Sequence, residues 1–389
     1  MTRSEAGDKV AVRLRMRAVM LSAPLESPVL LGRNGNSMSS LELEHVRSDR
    51  VTSGISAIRP PGDRPHPVVN EPDTVSWFER HDGPTFLVAG GVYGSWLLLL
   101  LLHRQVPWYV MAPVAGYVIQ WHFSLQHEAI HGMRGVPKWL RRALVWPPIG
   151  IWFPFELYRR LHSQHHRNGY LTYPGEDTES YYHDAEDWED FGDLSRWLLT
   201  INQTFLGRIC IGPILCTPRL FIKEMARLVA GETANAGIWC RHLIGVVLVL
   251  LVVEAFGVSV LQYLAVFVYP GLMFGMMRGF VEHRWGERPE ERTAVVESNW
   301  IFGMLFLWNN LHAVHHTFPT LQWWKVPRVW RQHREYIKAR NGGFVFRGYG
   351  EIARRWLVKP VFVPVHPHRF APGSVRHPDA SMRQPPATF

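Results

Sequence analysis

Apolar residues are concentrated in a few segments of the chain, and charged residues dominate between them. Residues 85–102 contain no charged side chain and end in six consecutive leucines, and residues 107–125 form a second apolar segment after a four-residue link. Residues 238–256 and 259–277 form a similar pair. Each segment is long enough, at about 1.5 Å per residue, to cross most of a hydrocarbon layer about 30 Å thick. The pattern predicts an all-α polytopic membrane protein with about four transmembrane helices in two hairpins.

Two hairpins place the N-terminus, the centre and the C-terminus of the chain on one side of the membrane. Of the 42 Lys and Arg residues, only Arg104 falls in a loop on the other side. Because positively charged loops stay in the cytoplasm, we expect both termini and the centre to be cytoplasmic. Residues 143–155 and 301–308 are apolar but too short to span, and they are expected to lie in the interface or to re-enter. A soluble protein with buried helical hairpins is the alternative.

The two ends of the chain differ in composition from its apolar centre. Residues 1–80 are rich in Arg, Ser, Gly and Pro without sustained periodicity, which predicts a disordered or loosely attached extension without an export signal. A membrane domain is predicted over residues 81–345, and residues 346–389 form a basic tail that is disordered at its end. The net charge is +9, and residues 317–389 carry 13 Lys and Arg against 3 Asp and Glu. This distribution favours an acidic partner or a membrane surface over nucleic acid.

Nine of the twenty histidines lie in or beside short motifs that follow apolar segments. The motifs are HEAIH at residues 127–131, HSQHH at 162–166 and HAVHH at 312–316, and His283 follows the fourth predicted span. Residues three or four apart share a helical face, so each motif can direct its imidazoles at one place. Nine candidates exceed the three or four ligands of a single zinc ion and indicate two metals. The candidate ligands are His127, His131, His162, His165, His166, His283, His312, His315 and His316.

The HEAIH motif has a second interpretation when it is taken alone. HExxH is the signature of zinc peptidases, in which the glutamate, here Glu128, is the general base. An intramembrane peptidase would leave seven of the nine histidines without a role. A metal transporter or sensor is a third possibility, but transporters carry their ligands near the bilayer midplane, whereas these motifs lie at the predicted cytoplasmic edge.

The three motifs together resemble the histidine boxes of the integral-membrane fatty acid desaturase and hydroxylase superfamily, whose members are non-haem di-iron proteins. The resemblance covers about residues 85–330, and His283 looks like the family's additional ligand between the second and third boxes. Residues 171–177 and 282–285 also resemble a bacterial subgroup of hydrocarbon or small-molecule oxygenases. The resemblance implies a four-helix membrane domain with a cytoplasmic helical cap that carries the boxes.

The resemblance also implies a cofactor and a reaction. Two iron ions and dioxygen would act on an unactivated C–H bond, giving desaturation or hydroxylation of a fatty acyl or other lipid substrate. Hydroxylation or oxidative demethylation of a hydrocarbon, carotenoid or small molecule is the alternative. Glu128, Asp177 and Glu282 lie beside candidate ligands and could orient imidazole N–H groups, or they could be solvated carboxylates near helix ends.

The electrons for this reaction must come from another protein. The sequence shows no CxxC pair, no GxGxxG after a predicted strand and no haem-binding HPGG motif. The odd number of cysteines, three, argues against a disulfide framework. A separate donor such as ferredoxin with its reductase is therefore implied, and basic side chains could dock it or contact anionic lipid. These are Lys325, Arg328, Arg331, Arg334 and Lys338.

Overall fold

The fold is given by a computed structural model that describes residues 76–167 and 169–367. The extension predicted at residues 1–80 lies almost wholly outside the described residues, as does the predicted disordered end of the tail beyond residue 367. The secondary-structure elements follow in the order α1 (Trp77–Arg80), α2 (Gly83–Leu102), α3 (Trp108–His131), α4 (Lys138–Val145), α5 (Phe155–Arg167), α6 (Ala185–Asp190), α7 (Asp193–Ile201), α8 (Phe205–Cys210), α9 (Gly212–Val229), α10 (Ala236–Ala255), α11 (Val260–Gly279), β1 (Val295–Val296), α12 (Trp300–Leu305), α13 (His312–Thr317), α14 (Val326–Arg340), β2 (Val345–Phe346) and α15 (Tyr349–Trp356).

The described chain is mostly helical, which confirms the predicted fold class. Helix α11 contains a π-helical stretch at Leu264–Val268. The two short strands pair in parallel, with Val295 opposite Val345 and Val296 opposite Phe346. This small sheet joins the segment before the third histidine box to the segment before α15.

Within the described part of the chain, three helices are long and apolar enough to cross a membrane, judged by length and composition. They are α2, the segment Thr233–Ala255 that includes α10, and α11. Large apolar side chains are exposed along α2 and α10, among them Leu87, Leu98, Leu101, Leu243, Val247 and Leu251. Lipid would remove these surfaces from water, so the faces agree with a position inside a bilayer.

The second predicted span, at residues 107–125, is present as a helix but is less apolar than the other three. Helix α3 extends from Trp108 to His131, and its second half contains the buried polar residues Gln120, His122, Ser124 and Gln126. These polar side chains lower the mean hydropathy of α3. They are shielded because α3 packs between α2 and α11, and the end of α3 carries the first histidine box. The count of four spans therefore stays a prediction.

Helices α3 and α11 approach each other closely at two glycines. A Cβ atom at Gly116 would clash with Pro270, and one at Gly271 would clash with Ile119. Small residues let helix backbones approach without a hydrophobic driving force, as packing inside a membrane requires. The contact fixes the ends of both helices relative to each other, and these ends lead directly into His127 and His283.

A second hydrophobic cluster lies beside the membrane helices and includes the chain beyond β2. Phe205, Phe280, Phe306, Phe346 and Tyr349 are buried in it. Phe346, Tyr349 and Ile352, which fall within the predicted basic tail, are thus packed against the segments that lead to His283 and to the third histidine box.

Candidate metal centre

Four parts of the fold bring the nine predicted histidines together. The end of α3 carries the first box, α5 the second and α13 the third, and His283 lies four residues beyond the end of α11. The side chains form two adjacent groups, and within each group the candidate ligand atoms lie within 4.8 Å of one another. We name them the five-histidine group, made of His127, His131, His162, His166 and His315, and the four-histidine group, made of His165, His283, His312 and His316.

The division follows the geometry of the α-helix. Histidines four residues apart, such as His162 and His166, belong to the same group. The histidine that lies three residues after the first of the pair, such as His165, belongs to the other group. Side chains four residues apart on a helix point in directions that differ by about 40°. Side chains three residues apart differ by about 60° in the opposite sense, so the imidazoles at these two positions diverge. Each HxxHH box therefore supplies two imidazoles to one group and one to the other.

The spacing of the nitrogens suits a bound metal ion. The Nε2 atom of His166 lies 2.9 Å from Nε2 of His315 and 3.1 Å from Nε2 of His162. In the four-histidine group, His312 Nε2 lies 3.1 Å from His283 Nε2 and 3.0 Å from His316 Nε2. Two nitrogens at right angles around a metal, with bonds of about 2.1 Å, would be about 3 Å apart. The two groups touch where the rings of His166 and His316 stack, with centroids 4.4 Å apart.

Two buried imidazole nitrogens need a partner that the described part of the chain does not provide. Nε2 of His131 and Nε2 of His165 are buried and have no hydrogen-bond partner among the described residues. A buried polar atom without a partner costs free energy, so each site calls for an additional ligand. One of these atoms belongs to each group. The residues present therefore fit a centre that holds one metal ion in each group.

Electrostatics keep most of these imidazoles neutral, which is the form that binds metal. Burial lowers the pKa of the following imidazoles well below the usual value of 6.5, and the other imidazoles close by, which disfavour an added proton, lower it further: His166, His312, His315 and His316. Burial also lowers the pKa of His283 to about 3. His165 is the exception, because Asp177 and Glu179 overcome the effect of burial and raise its pKa to about 9.

A layer of carboxylates lies behind the imidazoles. Asp177 Oδ1 is 2.7 Å from His165 Nδ1, and both side chains are almost wholly buried. Glu282 Oε1 is 3.0 Å from His312 Nδ1 and also accepts from Arg278 at 2.6 Å. A carboxylate on Nδ1 fixes the ring so that Nε2 faces the metal, and it makes the imidazole a stronger ligand. Two of the three carboxylates singled out in the sequence thus contact candidate ligands.

Sequence reasoning missed a third carboxylate in this layer. Glu179 Oε1 lies 2.7 Å from Nδ1 of His162. Glu179 belongs to an acidic stretch between the second box and α6, where solvated side chains are the usual expectation. The one signal that the sequence offered is that Glu179 lies two residues from Asp177, which is itself a candidate neighbour of the ligands.

Glu128 is placed differently from the other two predicted carboxylates. Its Oε1 accepts from the backbone N–H of Trp323 at 3.4 Å, and its carboxylate fills the space beside Gly132, where a Cβ would clash with it. Among the described residues, no hydrogen bond joins Glu128 to an imidazole. The role of orienting an imidazole is therefore not supported for Glu128 by its contacts.

Asn309 is a further neighbour of the centre that the sequence did not reveal. Its Oδ1 lies 2.9 Å from His312 Nδ1, and its Nδ2 lies 3.4 Å from His127 Nε2, so it contacts both groups. A tight turn precedes it, in which Leu307 and Trp308 have positive φ angles of 47° and 59°. Such conformations cost free energy in non-glycine residues, and they bring the third box back against α3.

Comparisons with known proteins agree with this geometry. The family model described as fatty acid desaturase matches residues 106–348, which is more than half of the chain and includes all nine histidines. A search of curated proteins gave no match. The family is known for di-iron centres, and both histidine groups could bind metal. The chain therefore belongs to the fatty acid desaturase family, and its apolar helices make it an integral membrane protein.

Proposed function

We propose that the protein is a membrane-bound di-iron oxygenase that uses dioxygen and two electrons to desaturate or hydroxylate an unactivated C–H bond of a fatty acyl or other lipid substrate. The observation that carries the proposal is the convergence of nine histidines into two touching groups, each with a buried nitrogen that has no hydrogen-bond partner within residues 76–167 and 169–367. One metal ion would need only three or four of these ligands.

The centre would combine metal chemistry with positioning by the protein. Two bound irons would supply the reaction with dioxygen that breaks the C–H bond, which no side chain can do. Asp177, Glu179 and Glu282 hold the Nδ1 atoms of three imidazoles and leave Nε2 directed inward. Burial of the imidazoles keeps bulk water away, so that electrostatic interactions act at full strength.

The position of the centre supports an apolar substrate. Helices α3 and α11 each deliver a candidate ligand, His127 near the end of α3 and His283 just beyond the end of α11. The centre therefore lies at the end of the membrane helices, where an acyl chain in the bilayer can reach it. We place this end, with both termini, on the cytoplasmic side, because Arg104 alone among the Lys and Arg residues lies in a loop at the other end.

Electron delivery would depend on a separate carrier of the ferredoxin type with its reductase. Helix α14 offers a basic surface, on which Arg331 is exposed. Arg334 is partly neutralised by Glu297 at 3.0 Å, and Lys338 by Glu335 at 3.5 Å. Reversing the charge at Arg331 should slow turnover with the carrier but not with an artificial reductant. Equal slowing with both reductants would instead indicate that the surface contacts anionic lipid.

Elemental analysis of the detergent-purified protein after anaerobic isolation tests the proposal directly. About two irons per chain are expected, together with oxygen-dependent conversion of a lipid substrate when a reductant is supplied. One zinc and no iron would instead support a peptidase that uses the HEAIH motif, and it would overturn the proposed chemistry. Products would then distinguish an alkene from an alcohol, and hence desaturation from hydroxylation or demethylation.

A further inference from the structure

The chain after α15 returns to the metal centre instead of leaving the protein. Residues 357–366, which we call the C-terminal segment, lie between the start of α8 and the loop at residues 170–183. Leu206 N–H donates to the Leu357 carbonyl at 3.0 Å, and Val361 N–H donates to the Gln203 carbonyl at 2.8 Å. On the other side, His183 N–H donates to the Pro364 carbonyl at 2.8 Å. The C-terminal segment is therefore hydrogen-bonded both to the start of α8 and to the loop at residues 170–183.

His366 is the innermost side chain of the C-terminal segment. It is only 2% exposed, and aromatic rings surround it. Its ring centroid lies 4.4 Å from that of Tyr173, 5.1 Å from that of Tyr182 and 6.5 Å from that of Trp285. Its backbone N–H donates to the His183 carbonyl at 2.9 Å. A polar ring buried this deeply, on a segment predicted to be a tail, indicates a specific contact.

A short chain of contacts leads from His366 to the four-histidine group. His366 Nε2 lies 3.4 Å from Oγ1 of Thr172, a buried residue whose φ angle of 79° is unfavourable for a β-branched side chain. Thr172 N–H donates to Asp177 Oδ2 at 2.7 Å. The other carboxylate oxygen, Asp177 Oδ1, holds His165 Nδ1 at 2.7 Å. Thr172 thus needs an external constraint to keep a strained backbone, and that backbone holds Asp177.

A small cavity shows how close the C-terminal segment comes to the metal centre. Phe362 lines this cavity together with Thr172, Tyr182, Glu179 and His283. Glu179 holds His162, and His283 belongs to the four-histidine group. The C-terminal segment therefore lines the same cavity as a candidate metal ligand.

We propose that His366 is a positioning residue: the C-terminal segment inserts it against Thr172, and this contact keeps Asp177 on His165 and so tightens metal binding in the four-histidine group. The proposal rests on the proposed function in so far as that group holds one of the two metals. The proposal gives residues 357–366 a role in supporting the metal centre, although the sequence pattern placed them in a tail.

The test measures metal release, which does not depend on the reaction that the protein catalyses. We would compare wild type with His366→Ala, His366→Phe and Thr172→Val, and with Val363→Ala as the matched control, since Val363 is 72% exposed on the same segment. The purified, metal-loaded full chain would be mixed with a chelator and metal loss followed over time. Melting temperature and size-exclusion profiles would identify any variant that fails to fold.

Loss of a carboxylate that orients a metal-bound imidazole usually weakens metal binding by about 10- to 100-fold. We therefore expect His366→Ala to release one of its two metals about tenfold faster than wild type, and the control to behave as wild type. His366→Phe keeps the ring but not the nitrogen, so it should release metal at the same raised rate as Thr172→Val. Mössbauer spectra of iron-loaded His366→Ala should change at one of the two iron sites.

Wild-type release rates in both Thr172→Val and His366→Phe would overturn the proposal, even if His366→Ala did not fold. Equal acceleration at both sites, with a lowered melting temperature, would also overturn it, because that result indicates general loss of stability. If wild type held zinc in place of iron, the proposed function would fail, but release of zinc would still decide the role of His366. The two failures are therefore distinguishable.

Discussion

The two histidine groups differ in how they combine imidazoles with negative charge. The five-histidine group has more nitrogens, and among the described residues one carboxylate, Glu179, contacts it directly. The four-histidine group has fewer nitrogens but two carboxylate partners, Asp177 and Glu282, both of which are buried. A buried anion behind an imidazole offsets the cost of placing a metal cation in a poorly polarisable environment. We therefore propose that buried charge behind the ligands compensates for the smaller number of imidazoles in the four-histidine group.

Removal of one imidazole from each group should give the largest effects. We expect His315→Ala and His316→Ala each to lower turnover by at least about 100-fold. Loss of a metal ligand should cost more than loss of a carboxylate that orients a ligand, which costs about 10- to 100-fold. Iron content should fall further in His316→Ala, because that group would keep only three imidazoles. His333→Ala, in α14 and outside both groups, is the control. Full oxygen-dependent activity in the His315 variant would show that the centre is wrongly assigned.

Neutralising one carboxylate behind each histidine group should weaken metal binding more in the four-histidine group than in the five-histidine group. Asp177→Asn should weaken metal binding by about 10- to 100-fold, because the side chains of Asp177 and His165 are 1% and 0% exposed. Glu179→Gln should have a smaller effect, since the Glu179 side chain is 29% exposed and water screens its charge. Metal affinity by competition with a chelator measures both. A larger loss in Glu179→Gln would contradict the proposed balance between ligand number and charge.

The metal-free protein should lose stability in mild acid. Imidazoles with a lowered pKa stay neutral when folded but become protonated near pH 6.5 when unfolded, so the unfolded state binds more protons below that pH. His165 acts in the opposite sense: its pKa of about 9 contributes stability that is fully present below pH 6.5 and is lost as the pH rises through 9. The other imidazoles outnumber it: His162, His166, His283, His312, His315 and His316.

The melting temperature should therefore fall between pH 7 and pH 5.5 in protein stripped with a chelator. Differential scanning fluorimetry in detergent would measure it. The fall should be smaller in a variant with His312, His315 and His316 all replaced by glutamine, which removes three of the titrating groups. A melting temperature that rises in acid would show that these imidazoles are charged in the folded protein.

Glu128→Gln should have the smallest effect, because Glu128 contacts the backbone of Trp323 and not an imidazole. Iron content should match wild type, and turnover should stay within about threefold, the size of a lost neutral hydrogen bond. A zinc peptidase that used Glu128 as its base would lose activity entirely. Measurement of metal content and oxygen-dependent turnover in one preparation separates these outcomes.

Much of the fold followed from local pattern alone. Long apolar segments such as residues 85–102 must form helices in a membrane, because no water is present to bond free backbone groups. The segment at residues 107–125 also became a helix, although the polar residues of its second half are buried inside the protein. The packing of residues 346–366 could not be predicted, because it depends on distant partners such as Phe205 and Gln203.

The sequence by itself determined which imidazoles can act together, since helical spacing decides which side chains share a face. It could not determine which group each one joins. His165 lies one residue from His166 and yet faces the other group, because successive residues of a helix point about 100° apart and the rings of His283 and His316 lie beside that of His165. The partners Glu179, Asn309 and His366 likewise became visible only in the tertiary structure. Contacts between residues far apart in the chain have no local signature, whereas the spacing of ligands along one helix does.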